Sequence, residues 1–166
     1  MSLSRRVVIA VIVVGAGVAF AAFGLKGAST SARAAPPLPT TTLSGTPVTL
    51  ADLRGKPAFV VFWASWCTPC AGEAPAIARF QRSLGGRASL IAVDWNDPST
   101  PAAHAFVRKY GWTFTSLRDA DGLVGDGYGL RGLPTTYLLD RSGRIVRTLT
   151  GEQTMQSLSA ALQTQQ

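Results

Sequence analysis

The order of apolar and helix-forming segments in this chain predicts an α/β domain, a central mixed sheet flanked by helices, behind an N-terminal membrane segment. Three observations carry that expectation. Ala58 to Trp63 is six apolar residues in a row, the pattern of a strand buried on both faces and hence of a parallel sheet. A helix-forming stretch follows at once, and the alternation repeats before it ends in a hairpin and a last helix. Once residues 1–35 are set aside, 131 of the 166 remain, enough for one core and too few for two.

The elements follow in chain order. Met1 to Arg6 holds two arginines, Val7 to Leu25 is nineteen residues without a charge, and Lys26 closes the run. As a helix at ~1.5 Å per residue the run reaches about 28 Å, against a hydrocarbon core of ~30 Å. That length points to an uncleaved signal-anchor. Five alanines and three glycines in the run, and the small-x-small pattern of Ala32-Arg33-Ala34, point instead to a cleaved signal peptide, and both readings stand. In either case Arg5 and Arg6 put the domain on the extracytoplasmic side of the cytoplasmic membrane, where disulfides form. Residues 1–35 are therefore the leader, 36–45 a linker within a Ser-, Thr-, Ala- and Pro-rich tether, and 46–166 the folded domain.

Within the domain, Thr46 to Leu50 alternates as a short strand, and Ala58 to Trp63 is the buried one. Cys67 to Leu84 reads as a helix stopped by Gly85-Gly86, and Ser89 to Val93 as the next strand. Pro101 in a first turn and Gly111 past the end bound a helix over Thr100 to Tyr110. Phe114 to Leu117 reads as a strand and the glycine-rich Gly122 to Gly129 as a loop or short helix. Thr135 to Asp140 and Ile145 to Thr150 pair around Arg141-Ser142-Gly143-Arg144, and a last helix runs from Thr154 to Leu162. The net charge of +7 falls to +3 without Arg5, Arg6, Lys26 and Arg33, since 12 basic then face 9 acidic residues. That excess is scattered and no basic run carries interleaved aromatics, so no nucleic-acid partner is expected.

Cys67 and Cys70 are the only cysteines and stand three apart directly after the buried strand. If the helix starts at the first of them, Cys67 is its cap and Cys70 lies one turn along the same face, so the sulfurs can bond. The unpaired N–H groups and the positive end of the dipole then favour a thiolate at Cys67. An ordinary thiol of pKa ~8.5 is only about 3% ionised at pH 7, and one shifted to ~7 is roughly half ionised. Cys67 is therefore the expected nucleophile and Cys70 the resolving thiol. Pro69 suits a first helical turn, where the N–H it lacks has no partner anyway.

The segment Trp66 to Pro75, Trp-Cys-Thr-Pro-Cys-Ala-Gly-Glu-Ala-Pro, resembles the active site of thioredoxin-like proteins, and most of all the TlpA/ResA/DsbE branch with its W-C-x-P-C-x-x-E-x-P. Leu53-Arg54-Gly55-Lys56-Pro57 resembles the branch's lead-in to the strand, and Tyr128 to Asp140 its second landmark. The resemblance implies a thioredoxin-like fold with an insert between its two halves, and a cis Leu133-Pro134 bond facing the cysteines. Leu133 and Pro134 would then present an unpaired backbone edge for a substrate strand. Trp66 would lie beside the nucleophile at the surface and grip apolar substrate. Thioredoxin's buried aspartate, six residues before the first cysteine, is Val61 here. Glu73, on the helical face of Cys70, is the candidate to exchange its proton.

The implied activity is extracytoplasmic thiol-disulfide exchange, reducing protein disulfides such as those of apocytochrome c or copper-site proteins, with electrons from a membrane thiol donor and with no cofactor or metal. The Thr68-Pro69 dipeptide lacks the histidine of strongly oxidising relatives, which agrees with a reductant. Two alternatives fit less well. A thiol peroxidase of the peroxiredoxin kind calls for threonine three residues before its cysteine, where Ala64 stands, and a Cu(I) carrier calls for a C-x-x-x-C and a histidine near the proline. Trp63 and Trp112 read as core, Trp95-Asn96-Asp97 as a loop at the ligand end of a strand, and His104 as an ordinary helix residue.

Overall fold

The computed structural model describes residues 32–165. The leader and the expected membrane segment lie almost wholly outside them. Among the described residues no helix is long and apolar enough to cross a membrane.

Two short strands open the described chain, β1 (Arg33–Ala34) and β2 (Thr41–Ser44), followed by a 3-10 turn at Ala51–Leu53. Then come β3 (Ala58–Trp63), α1 (Thr68–Ser83), β4 (Ser89–Trp95), α2 (Thr100–Lys109) and β5 (Ser116–Asp119). The chain closes with α3 (Leu123–Tyr128), β6 (Thr135–Leu139), β7 (Arg144–Thr150) and α4 (Met155–Gln163). The strands form one mixed sheet in the order β1-β7-β6-β3-β4-β5-β2. β3 sits at its centre, parallel to β4 and antiparallel to β6, and β4 is parallel to β5. This is a thioredoxin-like α/β arrangement, with α2, β5 and α3 lying between β4 and the closing hairpin.

All six residues of β3 are buried because both faces of the strand are covered. Alternation sends Phe59, Val61 and Trp63 to one core and Ala58, Val60 and Phe62 to the other. On the first face Trp63 packs on Phe106 of α2, with ring centroids 4.4 Å apart, and Ile77 and Phe80 of α1 and Leu158 of α4 complete the layer. On the second face Phe62 meets Tyr128 and Tyr137, at 5.1 and 5.6 Å. The helix starts are built locally. The Ser99 hydroxyl accepts the Ala102 N–H, and Thr154 and Ser157 accept each other's N–H in a capping box.

The N-terminal boundary differs from expectation. Thr46 to Leu50 is not a strand, and the edge strand is β2, antiparallel to β5. Gly45 turns the chain with φ +81°, and Pro47 has no N–H to give a ladder. Strand β2 falls inside the segment read as the 36–45 linker, Leu38 and Leu43 are buried, and β1 pairs with β7. The packed unit thus reaches back to residue 33. Strand β5 begins two residues later than the predicted Phe114, which is buried just ahead of it. The glycine-rich segment is helical because Asp119 accepts the N–H groups of Val124 and Gly125 at the start of α3. Gly125 is required there: a Cβ would stand 2.3 Å from the Trp95 indole nitrogen.

Candidate active site

Cys67 is the N-cap of α1, as its spacing predicts, and is disulfide-bonded to Cys70, with Cα atoms 5.2 Å apart. The Cys70 N–H donates to Cys67 Sγ at 3.1 Å, so the first sulfur already takes one of the helix's unpaired donors. Both cysteines belong to the core layer beneath α1 and are almost wholly buried, whereas Trp66 directly before them is 54% exposed. The Trp66 indole N–H reaches the Asn96 carbonyl at 3.4 Å.

The Leu133-Pro134 bond is cis. The Pro134 carbonyl accepts the Gly151 N–H at 2.9 Å. Among the described residues neither the N–H nor the C=O of Leu133 has a backbone partner. A shallow cavity runs along this segment, lined by Arg131, Gly132, Leu133, Pro134, Thr150 and Gly151. Leu133 is half-buried and packs against the core that contains the cysteines.

Glu73 lies one turn beyond Cys70 on α1 and is 2% exposed. One carboxylate oxygen accepts the Gln153 N–H at 2.9 Å, and the other has no partner. Burial raises its pKa from about 4.5 to about 7; the Gln153 bond opposes that shift and the Glu152 charge adds to it. The Glu152 carboxylate lies close over Gly72, where an added Cβ would stand 3.0 Å from it. The Gly151–Gln153 turn therefore touches both the cis-proline segment and Glu73. Val61, in place of thioredoxin's aspartate, is fully buried in apolar surroundings.

A second acidic group was not read from the sequence as part of the site. Asp94, next to last in β4, pairs with Trp63 of β3 and is fully buried, ion-paired to Arg118 of β5. Asp97 is 2% exposed. Its carboxylate accepts the Ser65 N–H at 2.6 Å and the Ser99 N–H at 3.0 Å, and its carbonyl accepts Arg118 at 2.6 Å. Burial lifts the Asp94 carboxyl to about 7, helped by the Asp97 charge and opposed by Arg118. Burial also pushes Asp97 up, but the hydrogen bonds from Ser65 and Ser99 outweigh it and hold its carboxyl below the ordinary range. One signal could have found this group, since Asp94 is the only charge in the strand Ser89–Trp95. Trp95 turns away from the site and donates to the Gly122 carbonyl at 3.2 Å. Trp63 and Trp112 are core, and His104 is half-buried on α2.

Comparison with known proteins places this geometry. The AhpC/TSA family model matches residues 32–148. The thiol-disulfide oxidoreductase ResA of Bacillus subtilis is 36% identical over 112 residues, which cover 67% of this chain and 62% of that protein's length. ResA of Bacillus anthracis is 34% identical over 131 residues, 78% of this chain and 75% of its own. Among solved structures, a secreted Mycobacterium tuberculosis disulfide oxidoreductase homologous to E. coli DsbE is 29% identical, with a TM-score of 0.68 over 76% of this chain and 95% of that one.

Proposed function

We propose, for a chain that belongs to the AhpC/TSA family and carries the two-cysteine redox couple of a thiol-disulfide oxidoreductase, that it reduces protein disulfides outside the cytoplasm. The observation that carries the reading is the Cys67–Cys70 disulfide at the start of α1, with the Cys70 N–H on Cys67 Sγ. In the reduced protein that N–H and the helix dipole stabilise a Cys67 thiolate. The thiolate attacks one sulfur of a client disulfide, a mixed disulfide forms, and the client's other sulfur leaves as a thiolate and takes up a proton. Cys70 then attacks Cys67 Sγ, the client leaves as a dithiol, and the protein keeps the disulfide. Two electrons have passed to the client.

Cys70 must lose a proton in the second step, and Glu73 is the group to receive it. Its unpartnered oxygen and a pKa near neutrality suit a base that works around pH 7. Leu133 offers the client an unpaired backbone N–H and C=O, the cis bond to Pro134 holds that edge in place, and Trp66 gives an exposed apolar face. Apocytochrome c and copper-site proteins are the clients of this reading, a membrane thiol protein is the electron donor, and the segment before residue 33 carries the domain across or holds it at the membrane.

The reduction potential of the Cys67/Cys70 couple, read by thiol alkylation after equilibration with dithiothreitol or glutathione, tests the direction. A value near or below roughly −220 mV supports the reductant, and one near about −120 mV makes the protein a disulfide donor.

A further inference from the structure

We propose that Asp97 is a positioning residue for disulfide exchange, holding the Ser65–Trp66 segment against the β4–α2 corner so that Trp66 is fixed as the docking wall for a protein client. The inference rests on the thiol-exchange reading and adds a residue to it.

Asp97 holds three parts of the chain directly and a fourth through Arg118. One carboxylate oxygen holds the Ser99 N–H at the start of α2, and the other holds Ser65, two residues before the nucleophile. Its carbonyl is held by Arg118 of β5, which also pairs with Asp94 of β4. The bond to Ser65 is a carboxylate accepting a backbone N–H at a part-buried corner, the shorter and stronger class of hydrogen bond. Arg118 binds the Asp97 carbonyl as well as Asp94, so the corner cannot swing without breaking a charged contact.

The corner also takes a backbone conformation that side chains seldom adopt. Asn96 has φ +47°, the only non-glycine residue with positive φ among the described ones. That turn aims the Asn96 carbonyl at the Trp66 indole N–H and the Asp97 carboxylate at Ser65. Trp66 is more than half exposed, and the Asn96 contact on its indole together with the Asp97 bond to the preceding residue ties it to this corner. A client pressing on Trp66 then meets a fixed surface and does not have to order one, which lowers the entropic cost of binding. A small thiol reagent needs no such wall.

The test compares the full chain with Asp97→Ala and Asp97→Asn. With insulin as a protein disulfide, the expected result for Asp97→Ala is a KM raised about tenfold, the scale of one charge-assisted hydrogen bond, with kcat within about twofold. The rate of the disulfide's reduction by dithiothreitol should stay within the same twofold. Hydrogen exchange at the Ser65 amide should quicken about tenfold while the β3 amide of Val60 keeps its protection. Asp97→Asn keeps an acceptor for Ser65 but sets an amide against the Ser99 N–H, so it should recover most of the KM. It also serves as the measured variant if Asp97→Ala does not fold. An unchanged KM in a folded variant overturns the proposal. So does a rise in KM accompanied by parallel falls in kcat, dithiothreitol rate and thermal stability, which marks a purely structural role. If the unmodified protein does not turn over insulin and Cys70→Ala traps no client, the exchange reading fails instead; an unchanged Ser65 exchange rate in Asp97→Ala overturns the clamp whether or not insulin is reduced.

Discussion

Two buried carboxylate groups flank the cysteines, and the contrast between them is instructive. On the α1 side, Glu73 has one oxygen on the Gln153 N–H and the other bare. On the β4 side, both Asp97 oxygens are occupied by backbone donors. Both are 2% exposed, yet their acidities move in opposite directions. Burial disfavours charge in each case; at Asp97 the bonds from Ser65 and Ser99 outweigh it, whereas at Glu73 the single Gln153 bond does not and the Glu152 charge adds to the rise. The under-supplied carboxylate is poised to take up and release a proton. The saturated one stays charged and holds backbone in place.

Breaking the site at its centre gives the largest effect. Cys70→Ala leaves Cys67 without a resolving thiol, so turnover falls to background and a mixed disulfide between Cys67 and a client accumulates. Non-reducing electrophoresis of alkylated extracts checks this, and the failure to trap any client would count against exchange altogether.

Arg118→Ala next sharpens the contrast by stripping the Asp94–Asp97 side of its cation. Removing one partner of a buried pair costs about 3 kcal/mol. The cost should be larger at pH 9 than at pH 6, because Asp94, with a pKa near 7 already, escapes at low pH by taking a proton. Urea unfolding at both values decides it, and equal costs would refute the reading.

Glu73→Gln probes the other carboxylate, with the sign reversed. The folded pKa of Glu73 lies above its unfolded value, so its contribution to stability is present below pH 4.5 and is lost as pH rises to about 7. Glutamine mimics the protonated form, so the variant should match the wild type at pH 4 and exceed it by up to about 3 kcal/mol at pH 8. Its turnover should slow and lose the inflection near neutrality. An unaltered pH–rate profile would take Glu73 out of the mechanism.

The smallest effect separates support from chemistry. Thr154→Ala removes half of the capping box of α4, next to the Gln153 N–H that holds Glu73, and should cost about 1 kcal/mol in thermal unfolding. The pH–rate profile should not move, since the Gln153 N–H is backbone and stays. A shifted profile would mean that the α4 cap and Glu73 are coupled.

Much of this was legible in the residues. The apolar run of β3 predicts its own bounds, Ala58–Trp63, and α1 lies within one residue of its predicted ends, because buried strands and glycine-stopped helices are written locally. Cys67 as N-cap follows from the same local logic. Strand β2 was misplaced because an edge strand of four residues, exposed on one side, has no pattern strong enough to compete with Thr46 to Leu50. Trp95-Asn96-Asp97 reads as a loop at a ligand end, but Trp95 is the last residue of β4 and only Asn96 and Asp97 lie beyond the strand, and the reading is silent about what the Asp97 carboxylate touches.

The local chemistry of the pair was therefore determined by sequence alone: two cysteines at i and i+3 on a helix start, a proline suited to that turn, and a glutamate one turn further on the same face. Such relations hold within a few residues and need no knowledge of the rest of the chain. Only the tertiary structure decided that Glu73 meets residue 153, that Asp97 meets residue 65, and that Arg118 joins Asp94 to the corner. A carboxylate's role depends on how many donors surround it in a dry interior, and those donors come from strands and loops far apart in the chain and brought together by folding.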